Sequence, residues 1–103
     1  MSFYGYNIGD FAVGELQGVA SATQMPSVTG QLVRFKALSG NAGNVYIGRS
    51  TVTKIDGTTD VTSGLELDAG DDTGWIPIPG KNMNAFYRIC DNVGDDLTYM
   101  VLK

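Results

Sequence analysis

The stretch Gln31-Leu32-Val33-Arg34-Phe35-Lys36-Ala37-Leu38 alternates strictly: Val33, Phe35 and Ala37 share one side, and Arg34 and Lys36 share the other. A period of two is the signature of a strand with one buried and one solvated face. Ser39-Gly40-Asn41-Ala42-Gly43 follows as a turn, because Gly and Asn tolerate positive φ. Asn44-Val45-Tyr46-Ile47-Gly48 reads as the next strand. A polar connection from Arg49 to Ser63 comes after it, with room for a short strand at Thr51-Val52-Thr53.

The same period continues to the end of the chain. Leu65 and Leu67 lead into an Asp-rich turn, and Trp75-Ile76-Pro77-Ile78 leaves it. Pro77 has no N–H for a ladder, so this strand is expected at a sheet edge. Pro79-Gly80-Lys81-Asn82 is a turn, and Ala85–Cys90 with Leu97–Leu102 is expected to form a last hairpin around Asp91–Asp96. No helical period occurs after residue 30. The fold expected is all-β, a small antiparallel β-sandwich or jelly roll spanning residues 27–103.

The first 26 residues differ. Phe3, Tyr4, Tyr6, Ile8 and Phe11 are punctuated by Gly5 and Gly9, and small residues fill the stretch from Phe11 to Thr23. They are expected to form an extended N-terminal arm contributing at most one strand. Exposed aromatics are costly for a monomer, so Phe3, Tyr4, Tyr6 and Phe11 are the expected partner-binding residues. The alternative is that the segment folds back over its own sheet as an edge strand.

Composition narrows the function. The 103 residues make one domain, able to bury roughly two-thirds of the surface of the unfolded chain. Charged residues are 17% of the chain, and the net charge is −4 from seven basic and eleven acidic residues. The basic residues are scattered singly, which argues against nucleic-acid binding. No apolar run reaches the roughly 18 residues that a membrane helix needs. Met1–Tyr6 lacks the basic and apolar segments of a secretory signal, so synthesis in a cytoplasm is expected. The lone Cys90 lies among apolar neighbours and reads as a small core residue.

The tripeptide Gly-Asp-Asp occurs twice, at Gly70-Asp71-Asp72 and Gly94-Asp95-Asp96. Metal-dependent nucleotidyl transfer would also need a further carboxylate, a basic channel and a much longer scaffold. If each strand crosses the sandwich once, the connections alternate ends. Asp68, Asp71, Asp72, Asp91, Asp95 and Asp96 then gather on one rim, together with the Ser39–Gly43 turn. Such a rim could offer oxygen ligands to calcium, although neither loop has the spaced Asp-x-Asp-x-Asp-Gly pattern. Solvated turns are the simpler reading, and no metal or other cofactor is expected. The absence of histidine removes Ser-His-Asp and Cys-His catalysis. A hairpin rim open to water does not raise a carboxyl pKa for acid catalysis. Nothing in the sequence looks like an enzyme. Trp75 with Tyr87 and Tyr99 could form a sugar-binding platform, or could serve a core or a subunit interface.

The order of "VRFKAL", "GNAGNVYIG", "GLELDAGDD" and "NAFYRICDN" before a closing strand resembles a family of small tailed-bacteriophage virion proteins. The likeness runs from Val28 to Leu102. It implies a β-sandwich that decorates or cements a capsid by binding the major capsid protein, or that belongs to a head fibre or tail. It also implies a virion location and a homo-oligomer, a trimer rather than a dimer. The Leu67-x-x-Gly70-Asp71 turn is also similar to that of the cupin jelly roll, but this chain lacks the cupin metal-binding histidines. The competing expectation is a carbohydrate-binding module of a fibre, tail or cell-surface protein.

Overall fold

The computed structural model describes residues 10–103 in full, and the backbone of Ser2–Phe3 (β1) and Tyr6–Asn7 (β2), which pair with each other. Eight further strands build two antiparallel four-stranded sheets. They are β3 (Phe11–Leu16), β4 (Thr23–Gln24), β5 (Thr29–Ala37), β6 (Val45–Gly48), β7 (Leu65–Leu67), β8 (Ile76–Asn82), β9 (Tyr87–Cys90) and β10 (Leu97–Leu102). The first sheet has the order β3-β10-β5-β8 and the second β4-β9-β6-β7.

The orders follow one rule. The chain doubles back at the β6–β7 connection, so that β6 pairs with β7, β5 with β8, β4 with β9 and β3 with β10. This long antiparallel ladder is then rolled up, so that its successive rungs fall alternately in the two sheets. The β5–β10 and β6–β9 pairings close the roll. That is a jelly roll, one of the two folds expected from the period-two pattern.

The rolling explains two departures from expectation. The β9–β10 pair is not a hairpin, because β9 lies in the second sheet and β10 in the first. Likewise the Asp68–Gly74 turn joins β7 to β8 across the sandwich and is not a hairpin tip. Each of these connections must bridge the roughly 10 Å between stacked sheets, which a two-residue hairpin turn cannot do. Thr51–Thr53 contributes only an isolated parallel bridge, Thr53 to Ser63.

The core lies where the inward faces meet: Met25, Val33, Phe35, Ala37, Val45, Ile47, Leu67, Ile78, Met83, Cys90, Leu97 and Val101. Phe35 meets Phe86 edge-on with ring centroids 5.4 Å apart. Burial pushes the Cys90 thiol above its ordinary pKa, consistent with an inert packing role. Pro77 is on β8, which is an edge strand as its missing N–H requires.

The boundary of the sandwich lies earlier than expected. Phe11–Leu16 pairs along its whole length with β10, Thr23–Gln24 pairs with β9, and Met25 is in the core. Residues 11–26 are therefore part of the two sheets, and the fold-back alternative describes them. Their alternation is hard to read because two of the three inward positions of β3, Ala12 and Gly14, are small. Gly14 is small for a reason: a Cβ there would lie 2.6 Å from a ring carbon of Tyr99, whose side chain already fills that space. Arg88 fastens the rest of the segment, with Nε donating to the Gln17 carbonyl and Nη1 to the Gln24 carbonyl, both at 3.3 Å. Burial lowers the pKa of this guanidinium from its ordinary value.

Candidate docking face

The β3–β10–β5 register sorts side chains by face, because directly paired residues of antiparallel strands point the same way. Ala12, Gly14 and Leu16 pair with Val101, Tyr99 and Leu97 on the inward side. The outward side carries Phe11, Val13 and Glu15 from β3, Thr98, Met100 and Leu102 from β10, and Leu32, Arg34 and Lys36 from β5. Leu32 and Leu102 are buried, whereas Phe11 is 52% and Val13 59% exposed. A groove of about 430 Å3 runs between Val13, Glu15, Arg34, Lys36, Thr98 and Met100.

One end of this face is held by charge. Arg34 Nη2 donates to Asp72 Oδ2 at 2.6 Å, and its guanidinium lies 5.8 Å from the centroid of the Trp75 ring. The Arg34 hydrogen bond, seconded by the Gly74 N–H, holds the Asp72 carboxyl below its ordinary pKa. The face thus combines an exposed apolar strip along β3 with a polar margin of Glu15, Lys36 and the Arg34–Asp72 pair. An apolar centre with a polar rim is the usual anatomy of a protein-binding surface.

The six aspartates do come to one end of the roll, around the β5–β6 connection. The Asp71 carbonyl accepts from Ala37 N at 2.9 Å, and the Asp96 carbonyl accepts from Leu38 N at 3.1 Å. The carboxylates of Asp71, Asp72, Asp91, Asp95 and Asp96, however, are engaged by the chain itself. Asp95 is 1% exposed and accepts from the N–H groups of Ala42, Gly43 and Asn92, and from Asn92 Nδ2. Asp91 accepts from Asn44 N and the Tyr46 hydroxyl, Asp96 from Gly18 N, and Asp71 from Asp68 N. Among the described residues no three acidic or cysteine side chains form a group that could hold a metal ion.

Burial alone would raise the pKa of Asp95, but the donors from Gly43, Asn92 and Ala42 outweigh it and hold the carboxyl below its ordinary value. Asp95 is therefore a buried acceptor and not the solvated turn residue expected of it. The available signal was an Asn92-x-x-Asp95 turn facing the "GNAG" loop, whose free N–H groups need acceptors.

The three aromatics considered for a sugar platform are dispersed. Trp75 sits by Arg34 at the start of β8, Tyr99 packs inward against the core, and Tyr87 is in the other sheet. Of the four residues expected on a docking arm, Phe11 is in β3 of the first sheet and not on an arm. Tyr4 and the side chains of Phe3 and Tyr6 lie outside the described residues. No helix among the described residues is long and apolar enough to cross a membrane. The chain matches no family model, no curated protein and no solved structure in the comparisons made.

Proposed function

We propose that the chain is a structural, non-catalytic virion protein that decorates or cements a bacteriophage capsid by docking on the major capsid protein. The observation that carries this reading is the outward face of the first sheet, where Phe11 and Val13 stand exposed beside a polar rim. Jelly rolls serve capsid proteins, lectins and cupins alike, so the fold does not choose among them, and the site must. A flat apolar strip on a rigid sheet suits the surface of another protein. A sugar platform would need aromatics gathered on one surface, and Trp75, Tyr87 and Tyr99 are not.

The test is the copy number of this chain relative to the major shell protein in density-purified particles, measured by quantitative mass spectrometry. A simple ratio to the shell subunit supports decoration or cementing, whereas absence from particles overturns the reading. Phe11→Asp is expected to abolish rebinding to stripped particles while leaving the far-UV circular dichroism unchanged.

A further inference from the structure

The four edges of the two four-stranded sheets are not alike. β8 carries Pro77, Pro79 and Lys81, while β4 and β7 have only two and three residues. Proline, lysine and brevity are the devices by which proteins prevent edge-to-edge pairing. β3 is the least protected: Phe11-Ala12-Val13-Gly14-Glu15-Leu16 is six residues long, with no proline and no basic side chain, and Glu15 is its one charge. Among the described residues no strand pairs with its outer side.

The phase of that open edge can be read from the structure. Lys103 N donates to the Asp10 carbonyl at 2.9 Å, so Asp10 faces β10 with its hydrogen-bonding groups. The alternation of an antiparallel ladder then turns Ala12, Gly14 and Leu16 toward β10, and Phe11, Val13 and Glu15 away from it. The Phe11 N–H accordingly donates to its neighbour's side chain, Asp10 Oδ1, at 2.8 Å and not to the sheet. The outward groups are centred on Val13.

We infer that two copies of this chain pair β3 to β3 about a two-fold axis at Val13, joining their first sheets into one of eight strands. In this register Val13 faces Val13 of the second copy and Phe11 faces Glu15. Each facing pair exchanges two backbone hydrogen bonds once the Phe11 N–H turns from Asp10 Oδ1 to the second copy, and all three outward residues of each strand are then used. Shifting the register by two residues leaves one outward residue of each strand unpaired. Of the edges of the two four-stranded sheets, only β3 in a second copy is open, so the contact is isologous and closes at two subunits. The axis stands perpendicular to the sheet, so Phe11 and Val13 of both copies share one continuous face.

A pair replaces the trimer that the family resemblance implied. The inference does not depend on the capsid reading, since a dimer in solution and absence from particles are separately measurable. The first test is sedimentation equilibrium of the full chain, for which a dimer is expected. Val13→Pro removes an N–H that points away from the sheet, at an edge-strand position where proline is tolerated, so it is expected to give a folded monomer with unchanged circular dichroism. Val13→Cys places two thiols on residues about 5.5 Å apart at Cα, within disulfide reach, so diamide is expected to link the subunits. Glu15→Cys, far from its own copy across the axis, is expected to remain unlinked. A monomeric or trimeric wild type, a dimeric Val13→Pro variant, or linkage through Glu15→Cys in preference to Val13→Cys would overturn the inference.

Discussion

The two Gly-Asp-Asp turns are the same three residues in two different environments. In Gly70-Asp71-Asp72 the acidic side chains stay at the surface: Asp71 accepts from Asp68 N, and Asp72 pairs with Arg34. In Gly94-Asp95-Asp96 the first aspartate is buried under the Asn41–Asn44 loop, where it accepts from three backbone N–H groups and one side-chain amide. What separates them is the neighbour across the roll. The loop between β5 and β6 presents N–H groups that no strand satisfies, and Asp95 is the acceptor within reach. A buried carboxylate with several donors stabilises the chain that surrounds it, whereas an exposed one is mostly solvated already.

The largest expected effect follows from removing that acceptor. Asp95→Ala leaves the Ala42, Gly43 and Asn92 N–H groups without their partner and is expected to destabilise the fold by about 3 kcal/mol in urea titrations. The same substitution at Asp71 should be close to neutral, and equal effects at the two positions would erase the distinction drawn above.

A second contrast should appear at the glycines. A Cβ at Gly43 would lie 2.7 Å from Asp95 Oδ2 and from Asp91 Cβ, so Gly43→Ala forces the loop away from its acceptor. A cost of about 1–3 kcal/mol is expected, read from the same titrations. Gly70 has open space but a φ of +86°, so Gly70→Ala is strained by conformation alone, at about 1–2 kcal/mol.

The pH dependence should also follow Asp95. Its folded pKa lies below the ordinary aspartate value, so the unfolded chain takes up the proton first as pH falls. The stability it contributes is complete above the unfolded pKa of about 4 and is lost as pH falls through the folded value. Thermal melting between pH 7 and pH 2 should show this loss, and Asp95→Asn should be less stable than wild type at pH 7 while converging with it in acid. The smallest effect is expected at the surface pair: Arg34→Ala should cost less than about 1 kcal/mol and lose its remaining influence in high salt.

How much of this was legible in the sequence varies by region. β5 could be read because large apolar residues alternate with polar ones, as in Val33-Arg34-Phe35-Lys36-Ala37, and β6 and β10 because they are short apolar runs between turns. β8 could be read only as far as Ile78: Pro79-Gly80-Lys81-Asn82, expected as a turn, continues the strand to Asn82, because Gly30 and Thr29 of β5 pair with Lys81 and Asn82. The gathering of acidic turns at one end followed from counting strand crossings. β3 was not legible as a sheet strand, because its inward side offers only Ala12 and Gly14 before Leu16, while Phe11 and Val13 face outward. That inversion is set by Tyr99, a residue 85 positions away whose ring occupies the place of a Gly14 side chain. The docking face was legible only as the aromatic character of Phe11, since Val13 joins it through the register with β10.

By itself the sequence determined the all-β class, the strand at the Pro77 edge, the inert cysteine and the two acidic turns, because each depends on a residue and its near neighbours. Only the tertiary structure decided which sheet each strand enters, which Gly-Asp-Asp aspartate is buried and which face of β3 is open. Those outcomes depend on pairings such as Phe11 with Leu102, between residues at opposite ends of the described chain. Local periodicity shows that a segment is a strand, but the free energy that places it comes from partners distant in the sequence.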